Sequence, residues 1–157
     1  MDAKKLIWCF NQNKGIKLIE PNINLAEEYI SSSEETFLVL QSIKDQSNIW
    51  VATTKYYCEY FAIYAILMKL AIKCEIHDCT IELCKFLEEE NVIPKGYSKI
   101  LENDKELRID NQYYLKNRKV RVESNMLRDF ILTIKNKINL LTLEETTNIR
   151  KKLKQII

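Results

Sequence analysis

The segment VATTKYYCEYFAIYAILMKLAI has no polar side. Apolar and aromatic residues recur all round any helix drawn through it, and the run is over twenty residues, far longer than a strand. It predicts a central helix from about Ile49 to Ala71, contacted on several sides. The other periodic segments are one-sided. Leu25, Tyr29, Thr36, Leu40 and Ile43 predict a long helix to about Asp45, with Asn24 and Glu27 as its N-terminal cap pair. Ile81, Leu83, Cys84 and Leu87 predict a shorter helix over 78–89, with Asp78 able to cap it. Ser98 opens a helix holding Ile100, Leu101, Leu107 and Tyr114. Met126, Leu127, Phe130, Ile131, Ile134, Ile138 and Leu141 form the strongest amphipathic face, over 123–141. Thr142 and Glu145 read as a capping box before a last helix with Ile149, Leu153 and Ile156.

Ahead of these, residues 2–13 suit a short helix stopped near Gly15, and GIKLIEPN an extended link. The expected fold is all-α: an antiparallel up-and-down bundle of about five to six helices over 22–157, preceded by a short helix and arm over 1–21. Composition sharpens this. Two glycines and two prolines in 157 residues leave little material for the tight turns of a sheet-rich fold. With 46% hydrophobic and 29% charged residues, the chain has the balance of a globular protein. It has no apolar run of eighteen residues, so no membrane span is expected, and the start MDAKKLIWCFNQNK lacks the long apolar region of a secretory signal. The five cysteines are odd in number and lack framework spacing, so reduced thiols in a cytoplasmic protein are expected.

Charge is divided along the chain. Residues 21–115 carry nine Lys/Arg against sixteen Asp/Glu, and residues 116–157 carry eleven against four. The basic third suits nucleic acid or an acidic partner, or simply solvated helix faces, since its charges alternate with apolar residues at helical spacing.

The only histidine, His77, lies in KCEIHDCTIEL at the turn between two helices. It can close that corner by donating to helix-ending carbonyls, or it can act chemically. Cys74, His77 and Cys79, with Cys84 and Cys58, have metal-binding side chains but no C-x-x-C pair, so core cysteines are expected and no metal or other cofactor is implied. A phosphate-cradling glycine loop and the common hydrolase motifs are missing from the sequence. Tyr57, Phe61 and Tyr64 share one stripe and Tyr56 and Tyr60 the next; buried tyrosines need partners for their hydroxyls. In LRIDNQYYLKNRK, Arg108 can grip a phosphate bidentately or pair with Asp104 one turn earlier. Asp110, two residues on, falls on another face.

Two strings carry a resemblance. ATTKYYCEYFAIYAILMKLAIKCEIHDCTIEL resembles the central part of HEPN domains: a small residue, a Tyr-Tyr pair, a long aromatic helix, a turn, and a histidine opening the next helix. LRIDNQYYLKNRKVRVESNMLRDFILTIKNKI resembles the continuation in archaeal-type members, an arginine followed by a tyrosine pair, a variable loop and a long helix. The resemblance spans about residues 22 to 141. It implies a helical bundle, often a homodimer with a cleft between subunits, and frequent association with a minimal nucleotidyltransferase. Many such proteins are metal-independent ribonucleases or toxins, using an arginine, a short spacer and a histidine. Arg108 matches the arginine, but Tyr113 stands where the histidine is expected and Leu115 follows two positions on. The resemblance therefore implies a nucleotide- or RNA-associated protein with a degenerate nuclease motif and a cleft formed by Arg108, His77, Tyr56, Tyr57, Asp78, Asp110, Tyr113 and Tyr114. An active endoribonuclease would need His77 as base beside Arg108. A purely structural or interaction bundle is the third expectation.

Overall fold

The unbroken apolar run becomes α3 (Asn48–Lys69), and its inner turns from Ala62 to Met68 are buried on every side. The computed structural model describes residues 1–156. Among them are seven helices and one two-stranded ribbon: α1 (Ala3–Asn11), β1 (Lys17–Leu18), α2 (Ile23–Ile43), α3, β2 (Ile72–Lys73), α4 (His77–Glu89), α5 (Tyr97–Gln112), α6 (Ser124–Leu140) and α7 (Leu143–Gln155). α2, α5 and α6 all pack on α3, α4 packs on α5, and α1 packs on α4. None of these helices is long and apolar enough to cross a membrane.

Local chemistry explains most boundaries. α7 opens on the expected capping box, with Thr142 accepting from the Glu145 N–H and the Glu145 carboxylate accepting from the Thr142 N–H. α2 is capped two residues earlier than expected: the Asn22 side chain accepts from the Leu25 N–H. Its buried stripe is Ala26, Ile30, Ser33, Phe37 and Leu40, so of the expected residues only Leu40 is fully inward, and the Ser33 hydroxyl donates to the Cys58 carbonyl on α3 at 2.6 Å. α5 is preceded by Gly96 at its N-cap, which holds φ 98°, a left-handed conformation suited to glycine. Ser98 caps nothing; its N–H donates to a Glu88 carboxylate oxygen at 2.6 Å.

The link read as extended contains β1, which pairs antiparallel with β2, Lys17 opposite Lys73 and Leu18 opposite Ile72. The ribbon is closed from above by α7. Arg150 Nη1 donates to the carbonyls of Ile19, Leu70 and Ala71, which end α3 and flank the ribbon.

The cysteines depart from the expectation of five reduced thiols. Cys9 of α1 and Cys79 of α4 are joined by a disulfide across 70 residues of sequence. Both are fully buried, and the packing of α1 on α4 brings them together. Cys58, Cys74 and Cys84 are reduced and buried.

Candidate functional site

α5 has an inward face that is largely polar. Leu101 is buried there, followed by Asp104, Arg108 and Asn111 at helical spacing. The other apolar residues expected on this helix fare differently: Ile100 and Leu107 are half-buried, while Tyr114 is 67% exposed beyond the helix end. Met126, expected inward on α6, is 61% exposed. Polar side chains buried at one helix interface must be partnered or costly, and each of the three has a distinct role.

Arg108 is only 7% exposed. Its guanidinium lies 4.7 Å from the Tyr56 ring centroid and 5.4 Å from that of Tyr57, and its Nη1 donates to the Tyr57 hydroxyl at 3.1 Å. These are cation–π contacts in a desolvated place, where they are strongest. Its Nε is buried without a partner. The expected pairing with Asp104 is not made: that carboxylate accepts from Lys55 Nζ at 2.6 Å.

His77 opens α4 and faces the same rings. Its Nδ1 lies 2.5 Å from the Tyr56 hydroxyl, and its ring is 4.6 Å from that of Tyr60. Burial pushes the Tyr56 hydroxyl well above its ordinary value, so it keeps its proton beside Nδ1. Burial holds the His77 pKa below its ordinary value, with the Arg108 and Lys105 charges acting the same way. His77 does not donate to the carbonyls ending α3. The corner is closed instead by the Tyr56 bond and by Asp78, whose carboxylate pairs with Lys105 of α5 rather than capping α4.

The structure thus brings Arg108, His77, Tyr56 and Tyr57 into one cluster, with Asp78 at its edge. It sends the others elsewhere. Asp110 accepts from Lys116 at 2.7 Å and from Arg118 at 2.5 Å, which holds its carboxyl below the usual range. Tyr113 is 65% exposed at the end of α5, beside Tyr114. Asn111 fixes the following loop by bonding both the carbonyl and the N–H of Arg118.

Tyr60 and Lys105 also belong to the cluster, and the expected cleft omits them. Spacing is the signal that points to both: Tyr60 is four residues from Tyr56, and Lys105 three from Arg108, each on the same helix face. The thiols do not converge on His77; among the described residues no three metal-binding side chains do.

The cluster offers a fixed guanidinium, a neutral imidazole and two hydroxyls. A guanidinium with a free N–H edge matches a phosphate, and an imidazole with a lowered pKa is a base near neutrality. Such side chains recur on many folds, and the chain matches no family model and no curated protein sequence.

Proposed function

We propose that this chain is an HEPN-like helical protein that binds the phosphate of a nucleotide or RNA at Arg108, and that its nuclease motif is degenerate. The observation that carries the reading is the state of Arg108: buried, held by a hydroxyl and two ring faces, with Nε unpartnered and no ion pair to a carboxylate among the described residues. A buried cation without an anion is costly to keep, and a phosphate oxygen would supply the missing charge. Tyr56, Tyr57 and His77 would line the place it occupies. Tyr113 and Tyr114, outside the cluster, suit a base or a partner surface, and a homodimer or a minimal nucleotidyltransferase is the partner this reading implies. The cytoplasm is its setting, where the Cys9–Cys79 bridge persists only in a cytosol that tolerates disulfides or because both sulfurs are shielded.

Titration with ATP and with short RNA tests the reading. Both should bind with an affinity that falls as salt rises, and Arg108→Ala should weaken both by about tenfold or more, the loss of one charge-assisted contact. Failure of both ligands to bind would end it and leave a structural or interaction bundle.

A second reading, a metal-independent endoribonuclease, is favoured by the position of His77. Its imidazole touches Tyr56, and Arg108 lies over that same ring. Cleavage of RNA in EDTA, lost in both His77→Ala and Arg108→Ala, would support it; intact RNA would support the first.

A further inference from the structure

On another side of the α3–α5 contact lies a cavity of about 390 Å³, bounded by α3, α5 and the start of α6. Arg108, His77, Tyr56 and Tyr57 do not line it. Its size is that of a small-molecule site. One wall is apolar: Tyr97 and Phe130 stack with centroids 4.1 Å apart, beside Met126 and Leu127. The opposite wall is ionic. Lys55 Nζ sits 2.6 Å from Asp104 and 4.0 Å from Glu59.

Glu59 is the unusual member. It is 1% exposed, lines the cavity, and among the described residues no donor reaches its Oε2. Lys55 bonds Asp104 and stands at the limit of ion-pair distance from Glu59. At the mouth, Arg121 is paired with Glu123 at 3.1 Å, and Asp129 adds a further carboxylate. Among the described residues, the lining therefore holds four carboxyls against two cations. Each cation already has its nearest acid, which leaves Glu59 and Asp129 unmatched. Burial and the neighbouring Asp104 hold the Glu59 carboxyl above its ordinary value, with Lys55 acting the other way.

We infer that this cavity binds a small organic cation, an ammonium or guanidinium on a flat apolar body, with its charged head on Glu59 and its body against Tyr97 and Phe130. The inference is independent of any phosphate at Arg108. The N–H donors of the ligand serve the Glu59 oxygen that no donor reaches, and the ligand's charge competes with a proton for that carboxyl, so any proton it holds passes to solvent. A neutral ligand of the same shape cannot replace the proton and leaves the Glu59 oxygen under-served.

The test uses the full chain with benzylammonium, and with benzyl alcohol as the neutral counterpart, by titration calorimetry at neutral pH in two buffers of different ionisation enthalpy. Benzylammonium should bind at least about tenfold more tightly than the alcohol, with release of up to one proton per cation. Its affinity should rise from pH 5 to pH 8. Glu59→Gln, close in shape to the protonated acid, should abolish the proton release and remove the preference for the cation, and its melting curve shows whether it folds. Should it not fold, Asp129→Asn at the mouth and the pH profile of the unaltered protein serve instead: a weaker cation in the variant and a sloping profile support the site. Equal affinity for the two probes, a flat pH profile with no proton released, or no binding of benzylammonium at millimolar concentration would each overturn it.

Discussion

Arg108 is buried and His77 half-buried against tyrosine rings. Arg108 keeps its charge because a guanidinium always does. Replacing an under-partnered buried charge by an apolar chain of similar length is commonly neutral or stabilising. Arg108→Met should therefore unfold in urea at the same free energy as the unaltered protein, or up to about 2 kcal/mol above it, while losing phosphate affinity. A loss of stability beyond about 3 kcal/mol would mark the tyrosine contacts as Arg108's purpose. His77 keeps its neutrality: its folded pKa lies below the ordinary value. Its contribution to stability is thus present above the unfolded value, near 6.5, and is lost as pH falls through the window below it. Glu59 works in the opposite sense, since its raised pKa adds stability as pH falls toward the ordinary carboxylate value. The His77 part is isolated by comparison: urea midpoints from pH 8 to 5 should drop less in His77→Gln than in the unaltered protein, and parallel curves would refute the assignment. At this scale helix spacing put the tyrosines on adjacent stripes, while the arginine and the histidine were grouped with them only through the resemblance. The bonds among Lys55, Glu59 and Asp104 were not legible, since they join α3 to α5 across 49 residues.

Periodicity revealed all the helices, and it failed where an element is too short to have a period. β1 and β2 are two residues each, and no alternation can be read from two positions. Boundaries slipped where two residues were equally able to cap, as with Asn22 and Asn24. Of the apolar residues the sequence places on α5, only Leu101 is fully buried. The inward face is Leu101, Asp104, Arg108 and Asn111, and here a helix departs from simple packing and carries candidate chemistry. α7 makes a further case. Its Arg150 binds three carbonyls at the end of α3 and the ribbon, of which that of Ala71 also accepts from the Ile19 N–H. Arg150→Ala should lower the unfolding free energy by about 2 kcal/mol, the usual loss for hydrogen bonds from a charged donor. Hydrogen exchange at Ile19 and at residues 70–73 should rise in that variant more than exchange in the middle of α3. Uniform exchange would mean that Arg150 is a surface cation only.

Across the whole molecule, the divided charge resolves into cross-links. Lys135 of α6 pairs with Glu34 of α2 at 2.6 Å, and Lys152 of α7 with Glu90 at the end of α4. These join the basic third to the acidic middle, so part of the asymmetry serves packing rather than a ligand. Exposed pairs of this kind stabilise weakly. The Cys9–Cys79 bond contributes more, and it could not be read from spacing because its partners are 70 positions apart. Closing a loop of that length stabilises by about 4 kcal/mol through the unfolded chain. Cys9→Ser with Cys79→Ser should lower the urea midpoint accordingly, and reducing agent should do the same to the unaltered protein. If neither does, the thiols are merely neighbours.

The same bond gives the chain the topology of a noose: everything from Cys9 to Cys79, including both longest helices, hangs between two tied sulfurs. Lys44 lies exposed in the short link within it. A single tryptic nick there yields a molecule that still migrates as one species, and that falls into two pieces only when a thiol is added to the gel sample.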